Sequence, residues 1–103
     1  MRSLLALALL LTTVGTAVAL EPSEQRGLTF VQTNCSQCHA VGEAGPSPLP
    51  IAPPFRTLHE RFEIDRLAQP LAEGTISDHP SMPHFSLDAA EIADVLAYLR
   101  TLH

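Results

Sequence analysis

Apolar positions recur most regularly near the end of the chain. Ile92, Val95, Leu96 and Leu99 fall at i, i+3, i+4 and i+7, which draws one stripe along a helix. Asp88 and Glu91, just ahead of the stripe, form a D-x-x-E capping box, and Arg100 sits where the helix dipole favours a cation. An earlier segment, Ser23 to Asn34 (SEQRGLTFVQTN), reads as a second helix. Ser23 serves as its N-cap, Glu24 stands in the first turn, and Leu28 and Val31 share a face. Gly27 inside it costs about 1 kcal/mol against Ala, a cost that a close helix crossing would explain. Phe55 to Phe62 suggests a short helix. Ile64 to Glu73 suggests another, with Asp65 as N-cap, Gly74 as its stop and Pro70 either kinking it or delaying its start. Two stretches, Val41 to Pro54 and Gly74 to Ser86, are dense in Gly, Pro and polar residues and read as ordered loops. No run alternates with the period of a strand. The pattern predicts an all-α chain of three to four short helices joined by Pro-rich loops.

The first residues follow another rule. MRSLLALALLLTTVGTAVAL has one positive charge, Arg2, an apolar run from Leu4 to Leu11, and small residues ending in Ala17-Val18-Ala19. That is the layout of a secretory signal peptide with an A-x-A cleavage site. The alternative, a membrane anchor, suffers because the run falls short of the roughly 20 apolar residues of a spanning helix and Glu21-Pro22 follow at once. The expected division is a leader over 1–19 and one domain over 20–103, exported to the periplasm and not inserted in a membrane after cleavage.

Cleavage would remove one of six basic residues and none of the eleven acidic ones. The acidic remainder has no basic run, which argues against nucleic acid and anionic membranes as partners and fits either solubility or a basic protein partner. A domain of this size rarely builds a sufficient core from side chains alone. With no Trp, one Tyr, four Phe and nine Pro in 103 residues, this one needs something else at its centre.

Residues 35–39 read CSQCH. Three chemistries fit two cysteines and a histidine at this spacing. A redox dithiol usually follows a strand in a βαβ setting, and here a helix precedes. A zinc knuckle would take Cys35, Cys38 and a later His, but there is no second C-x-x-C to complete it. C-x-x-C-H is also the signature of c-type haem attachment. Each sulfur adds to a porphyrin vinyl group, and the adjacent imidazole is then placed to ligate iron. The export signal and the thin core favour this third chemistry.

With these features together, the chain from residue 20 onward resembles a small bacterial class I c-type cytochrome with one haem. The resemblance implies an all-α cytochrome c fold wrapped around one covalent haem c. Cys35 and Cys38 would form the thioethers and His39 would be the proximal iron ligand. Pro53, in Ala52-Pro53-Pro54-Phe55, would accept the imidazole N–H on its carbonyl. Met82, in Met82-Pro83, would be the distal ligand, and Phe55 and Tyr98 would belong to the haem pocket, with Phe30, Phe62 and Phe85 as further lining candidates. Gly27, eight before Cys35, matches the family's small residue at a helix crossing, and Tyr98-Leu99 its aromatic-aliphatic pair. Val31 stands where the family often has an aromatic, with Phe30 adjacent, which implies a shifted crossing contact.

Met82 is the one methionine left after the leader. A lone Met is often a core gap-filler, yet this one sits in a polar loop between Pro80 and Pro83, which restrict the backbone on both sides. His79 and His84 are alternative ligands or exposed loop residues, and His59 and His103 read as surface. Arg56 or Arg61 could pair a haem propionate or serve surface ion pairs. The resemblance implies a monomeric carrier, not an enzyme, that passes single electrons between redox protein donors and acceptors. A haem enzyme or gas-binding module with an open distal site, or a dedicated subunit of a periplasmic dehydrogenase, are the alternatives.

Overall fold

The computed structural model describes residues 8–15 and 19–103. Residues 1–7 and 16–18, with Arg2 and the Ala17-Val18 of the expected cleavage site, lie outside the described residues. Leu9, Leu10, Leu11 and Val14 are 77–90% exposed. Among the described residues no helix is long and apolar enough to cross a membrane.

Among the described residues every regular element is a helix, and there is no strand. Helix α1 spans Pro22–Asn34, α2 Ala68–Glu73 and α3 Ala89–Leu99, and two 3-10 turns, Phe55–Glu60 and Ile64–Leu67, stand between α1 and α2. Both α1 and α3 start on an acidic pair three apart. In α3 the Asp88 carboxylate accepts Glu91 N–H at 2.8 Å, and Glu91 accepts Asp88 N–H at 3.1 Å, as expected. In α1 the N-cap is Glu21, not the expected Ser23: Pro22 takes the first helical position, where its missing N–H costs nothing, and Glu24 accepts Glu21 N–H at 2.9 Å.

The middle of the chain departs from the expected single helix over 64–73. A 3-10 turn ends at Leu67, and α2 begins at Ala68, so Pro70 falls in the first turn of α2, where no intrahelical partner is needed. Pro70 thus delays the helix; it does not kink it. Asp65 is not an N-cap; its carboxylate takes Arg100 Nε at 3.1 Å. Gly74 ends α2 at φ +71°, the left-handed conformation that suits glycine.

α1 crosses α3 with Gly27 at the point of closest approach. A Cβ at Gly27 would lie 2.0 Å from the Asp94 carbonyl oxygen and 2.8 Å from Tyr98 Cβ. Arg26 flanks this contact with two bonds to the Asp94 carboxylate, at 2.9 and 3.0 Å. Below it lies the core: Val31, Leu67, Leu87, Val95, Leu96, Tyr98, Leu99 and Leu102. Val31 is the most buried, at 1% exposure. Of Phe30 and Val31, Val31 is the residue that enters the core, while Phe30 is only partly buried against it. The stripe read from α3 is real, with Ile92 at its partly buried edge.

Candidate functional site

The site begins where α1 stops. Cys35 is the C-cap of α1, its N–H donating to Val31 O at 2.8 Å. Its own carbonyl accepts from Cys38 N at 3.2 Å and His39 N at 2.9 Å, so the chain turns back under the helix end with both residues in hand. His39 Nδ1 lies 2.8 Å from the Pro53 carbonyl. A carbonyl only accepts, so Nδ1 carries the proton and Nε2 keeps its lone pair free for a metal. The Phe55 ring packs on the imidazole at 4.9 Å between centroids.

The Pro-rich loop that delivers Pro53 is held on both sides of this contact. Leu49 N donates to Cys38 O at 3.0 Å and Phe55 N to Ala40 O at 2.9 Å. Ala40 N donates to Ser47 Oγ at 3.0 Å, and Ser47 is 8% exposed. Sequence reading missed Ser47, since a Ser in a Gly/Pro-rich stretch gives no sign that its hydroxyl is buried. Tyr98 lines neither of the cavities described below; it packs at the Gly27 crossing, and its hydroxyl donates to Val41 O, fastening α3 to the loop that follows His39.

Two adjoining cavities, of about 310 and 600 Å³, open on this turn. Both are lined by Cys35, His39, Pro53, Phe55, Met82 and Phe85. Cys38 lines the smaller, and Phe30, Phe62, Arg61 and core residues such as Leu67 and Val95 line the larger. The expected sulfurs, imidazole and thioether thus meet at one mainly apolar cleft, although Met82 lies 43 positions beyond His39 in the chain. Until it is joined to another group, the Cys35 thiol is pushed up to about 11 by burial.

The neighbouring candidates sort themselves by contact. His79 lines the smaller cavity, but its Nδ1 accepts Ser81 N–H at 3.2 Å, which leaves the proton on Nε2, the wrong tautomer for ligation from that nitrogen. His84 lines neither cavity and donates from Nδ1 to Gly74 O at 2.8 Å. Arg61 reaches the larger cavity, whereas Arg56 donates to Gly45 O at 2.7 Å. The rings of His59 and His103 pair edge to face away from the cleft, 6.5 Å apart.

These residues fit a covalently held haem better than the other two chemistries. Among the described residues no cluster of three or more His, Cys, Asp or Glu is placed to hold a metal ion, so a zinc knuckle lacks its ligands. Nor is there a strand ahead of the cysteines to carry a thioredoxin-like pair. A large apolar cleft edged by two sulfurs and a free imidazole nitrogen does suit a flat, mostly apolar group with a metal at its centre.

Comparison with known proteins agrees. The profile of the family described as Cytochrome c matches residues 24–103. A cytochrome c-553-like protein from Synechocystis sp. (strain ATCC 27184 / PCC 6803 / Kazusa) is 30% identical over 89 residues, covering 86% of this chain and 78% of its own. No solved structure matches the chain.

Proposed function

The chain belongs to the cytochrome c family and is a haem electron carrier with one covalently attached haem c, and from that premise we propose that it works as a His39/Met82-ligated, periplasmic single-electron shuttle. Cys35 and Cys38 supply the two thioethers, His39 Nε2 the proximal bond and Met82 Sδ the distal one. Residues 1–19 act as the export leader and 20–103 as the working domain.

The observation that carries this reading is the convergence of His39 and Met82 on the cleft that the cysteines line, with His39 Nδ1–H committed to Pro53 O at 2.8 Å. Bound there, the haem supplies a reversible one-electron Fe(II)/Fe(III) couple, at a potential that His/Met ligation raises. The chain's residues do the rest. The Pro53 carbonyl fixes the tautomer of His39 and increases its basicity, while Phe55 restrains the ring. Phe30, Phe62, Phe85 and the core side chains exclude water from the cleft, which holds the surroundings constant between the two redox states. Pro80 and Pro83 limit the backbone around Met82, so the thioether is presented at a restricted distance. Arg61, on the rim of the larger cavity, is suited to a propionate. An acidic surface suits redox proteins with basic docking faces.

The test is CO binding to the reduced, haem-loaded protein. Wild type binds CO weakly or slowly because Met82 holds the sixth position, and Met82→Ala binds it fast and stoichiometrically. Fast, stoichiometric binding by wild type would overturn the carrier assignment in favour of an open distal site.

A further inference from the structure

Residues 76–86 form the loop that carries Met82. Most of the hydrogen bonds in this loop are internal: His79 N to Ser77 Oγ at 3.0 Å, Ser81 N to His79 Nδ1 at 3.2 Å and Met82 N to His79 O at 3.0 Å. They shape the tip and fasten it to nothing else. Among the described residues, a single hydrogen bond joins residues 76–86 to the rest of the chain. It runs from His84 Nδ1 to Gly74 O, at 2.8 Å. The loop's other anchors are apolar: Ile76 and Phe85 pack against the core near its two ends.

Gly74 is a firm acceptor for such a tether. It is buried, it ends α2, and its neighbour Thr75 N is already bonded to Pro70 O at 2.9 Å. Just beyond the loop, Leu87 N bonds to Leu71 O at 2.9 Å, again on α2. The backbone therefore leaves α2 at Gly74 and returns to it at Leu87. His84, two residues beyond Met82, bridges the gap between departure and return. The His84 residue is exposed as a whole, but this bond is part-buried.

We infer that His84 is a positioning residue for Met82, holding the distal loop closed on the cleft through its Nδ1–H bond to the Gly74 carbonyl. It touches neither cavity, so it acts only through the loop. The inference rests on Met82 being the distal ligand. The bond is made when the loop is seated and is lost when Met82 swings away, so its removal raises the fraction of molecules with a detached Met82.

The probe is free imidazole, which binds the ferric, haem-loaded protein only when Met82 has left. Three variants separate the bond from the ring. In His84→Asn the amide N–H occupies the place of Nδ1–H, in His84→Gln the amide is carried one bond too far, and in His84→Leu the donor is gone. Losing one ordinary hydrogen bond should tighten imidazole binding about fivefold in Gln and Leu, with Asn within about twofold of wild type. If Leu does not fold, the contrast of Asn against Gln carries the test. Equal imidazole affinity in wild type and Gln overturns the inference, as does an Asn variant shifted as far as Gln. If wild type itself lacks the ferric near-infrared band of Met-ligated haem, the ligand assignment fails instead. The band with unchanged affinities convicts His84 alone.

Discussion

Gly27→Ala turns the helix crossing into a number. In an isolated helix the change is favourable by about 1 kcal/mol. Here the new Cβ would sit 2.0 Å from the Asp94 carbonyl oxygen, 2.7 Å from its carbon and 2.8 Å from Tyr98 Cβ, where ordinary contact begins at 3.4 Å. A helical backbone carbonyl cannot rotate aside. The helices must part by over 1 Å, which strips contact from Val31, Val95, Tyr98 and Leu99 below the crossing. Overpacking of this kind costs about 1–3 kcal/mol, and a Cβ 2.0 Å from a fixed backbone oxygen belongs at the upper end. After the propensity gain, the net loss is about 2 kcal/mol. At about 4–8 °C per kcal/mol for a domain of this size, Tm falls by roughly 10 °C. The assay is thermal unfolding of the haem-loaded protein followed by far-ultraviolet circular dichroism, wild type against variant. The two effects have opposite signs, so an unchanged or raised Tm would refute the crossing as the reason for the glycine.

Two further expectations concern buried donors. Tyr98→Phe removes the bond to Val41 O and should cost about 1 kcal/mol, lowering Tm by several degrees; an unchanged Tm means the bond contributes nothing. Tyr98 is the chain's one tyrosine, so its titration can be followed by ultraviolet absorbance. Burial first, and Glu43 second, raise its pKa above 10.0. The protonated hydroxyl is favoured in the folded state, so its stabilisation is complete below pH 10 and fades as pH climbs through the raised value; tyrosinate appearing at or below pH 10 contradicts this.

Much of this protein could be read from its sequence because its strongest signals are local. The α3 stripe, its Asp88/Glu91 cap and the stop at Gly74 each depend on residues within a turn or two, and each stands where the pattern put it. The CSQCH turn is likewise local, as Cys35 O binds both Cys38 N and His39 N. Errors arose where the deciding partner lies far along the chain. Asp65 looked like a cap because Arg100, 35 residues away, cannot be seen from within its own segment. Tyr98 was read as a pocket residue from family likeness, which gave no sign of its bond to Val41, 57 residues back. Ser47 gave no signal, and His84 suggested only an alternative ligand or an exposed loop residue, because each makes one bond to a backbone group that the local pattern does not reveal. The Glu21 cap was missed for a smaller reason: a Pro at the first helical position moved the start back by two residues.

The central claim is that His39 and Met82 jointly hold the iron. The most direct test is the visible and near-infrared spectrum of periplasmically expressed protein, oxidised and reduced, alongside Met82→Ala. The expected spectra are those of a c-type haem with two thioethers, a six-coordinate reduced form, and a ferric near-infrared methionine–iron band that Met82→Ala abolishes. A ferric wild-type protein without that band, or a Met82→Ala protein that keeps it, would show that Met82 does not hold the iron.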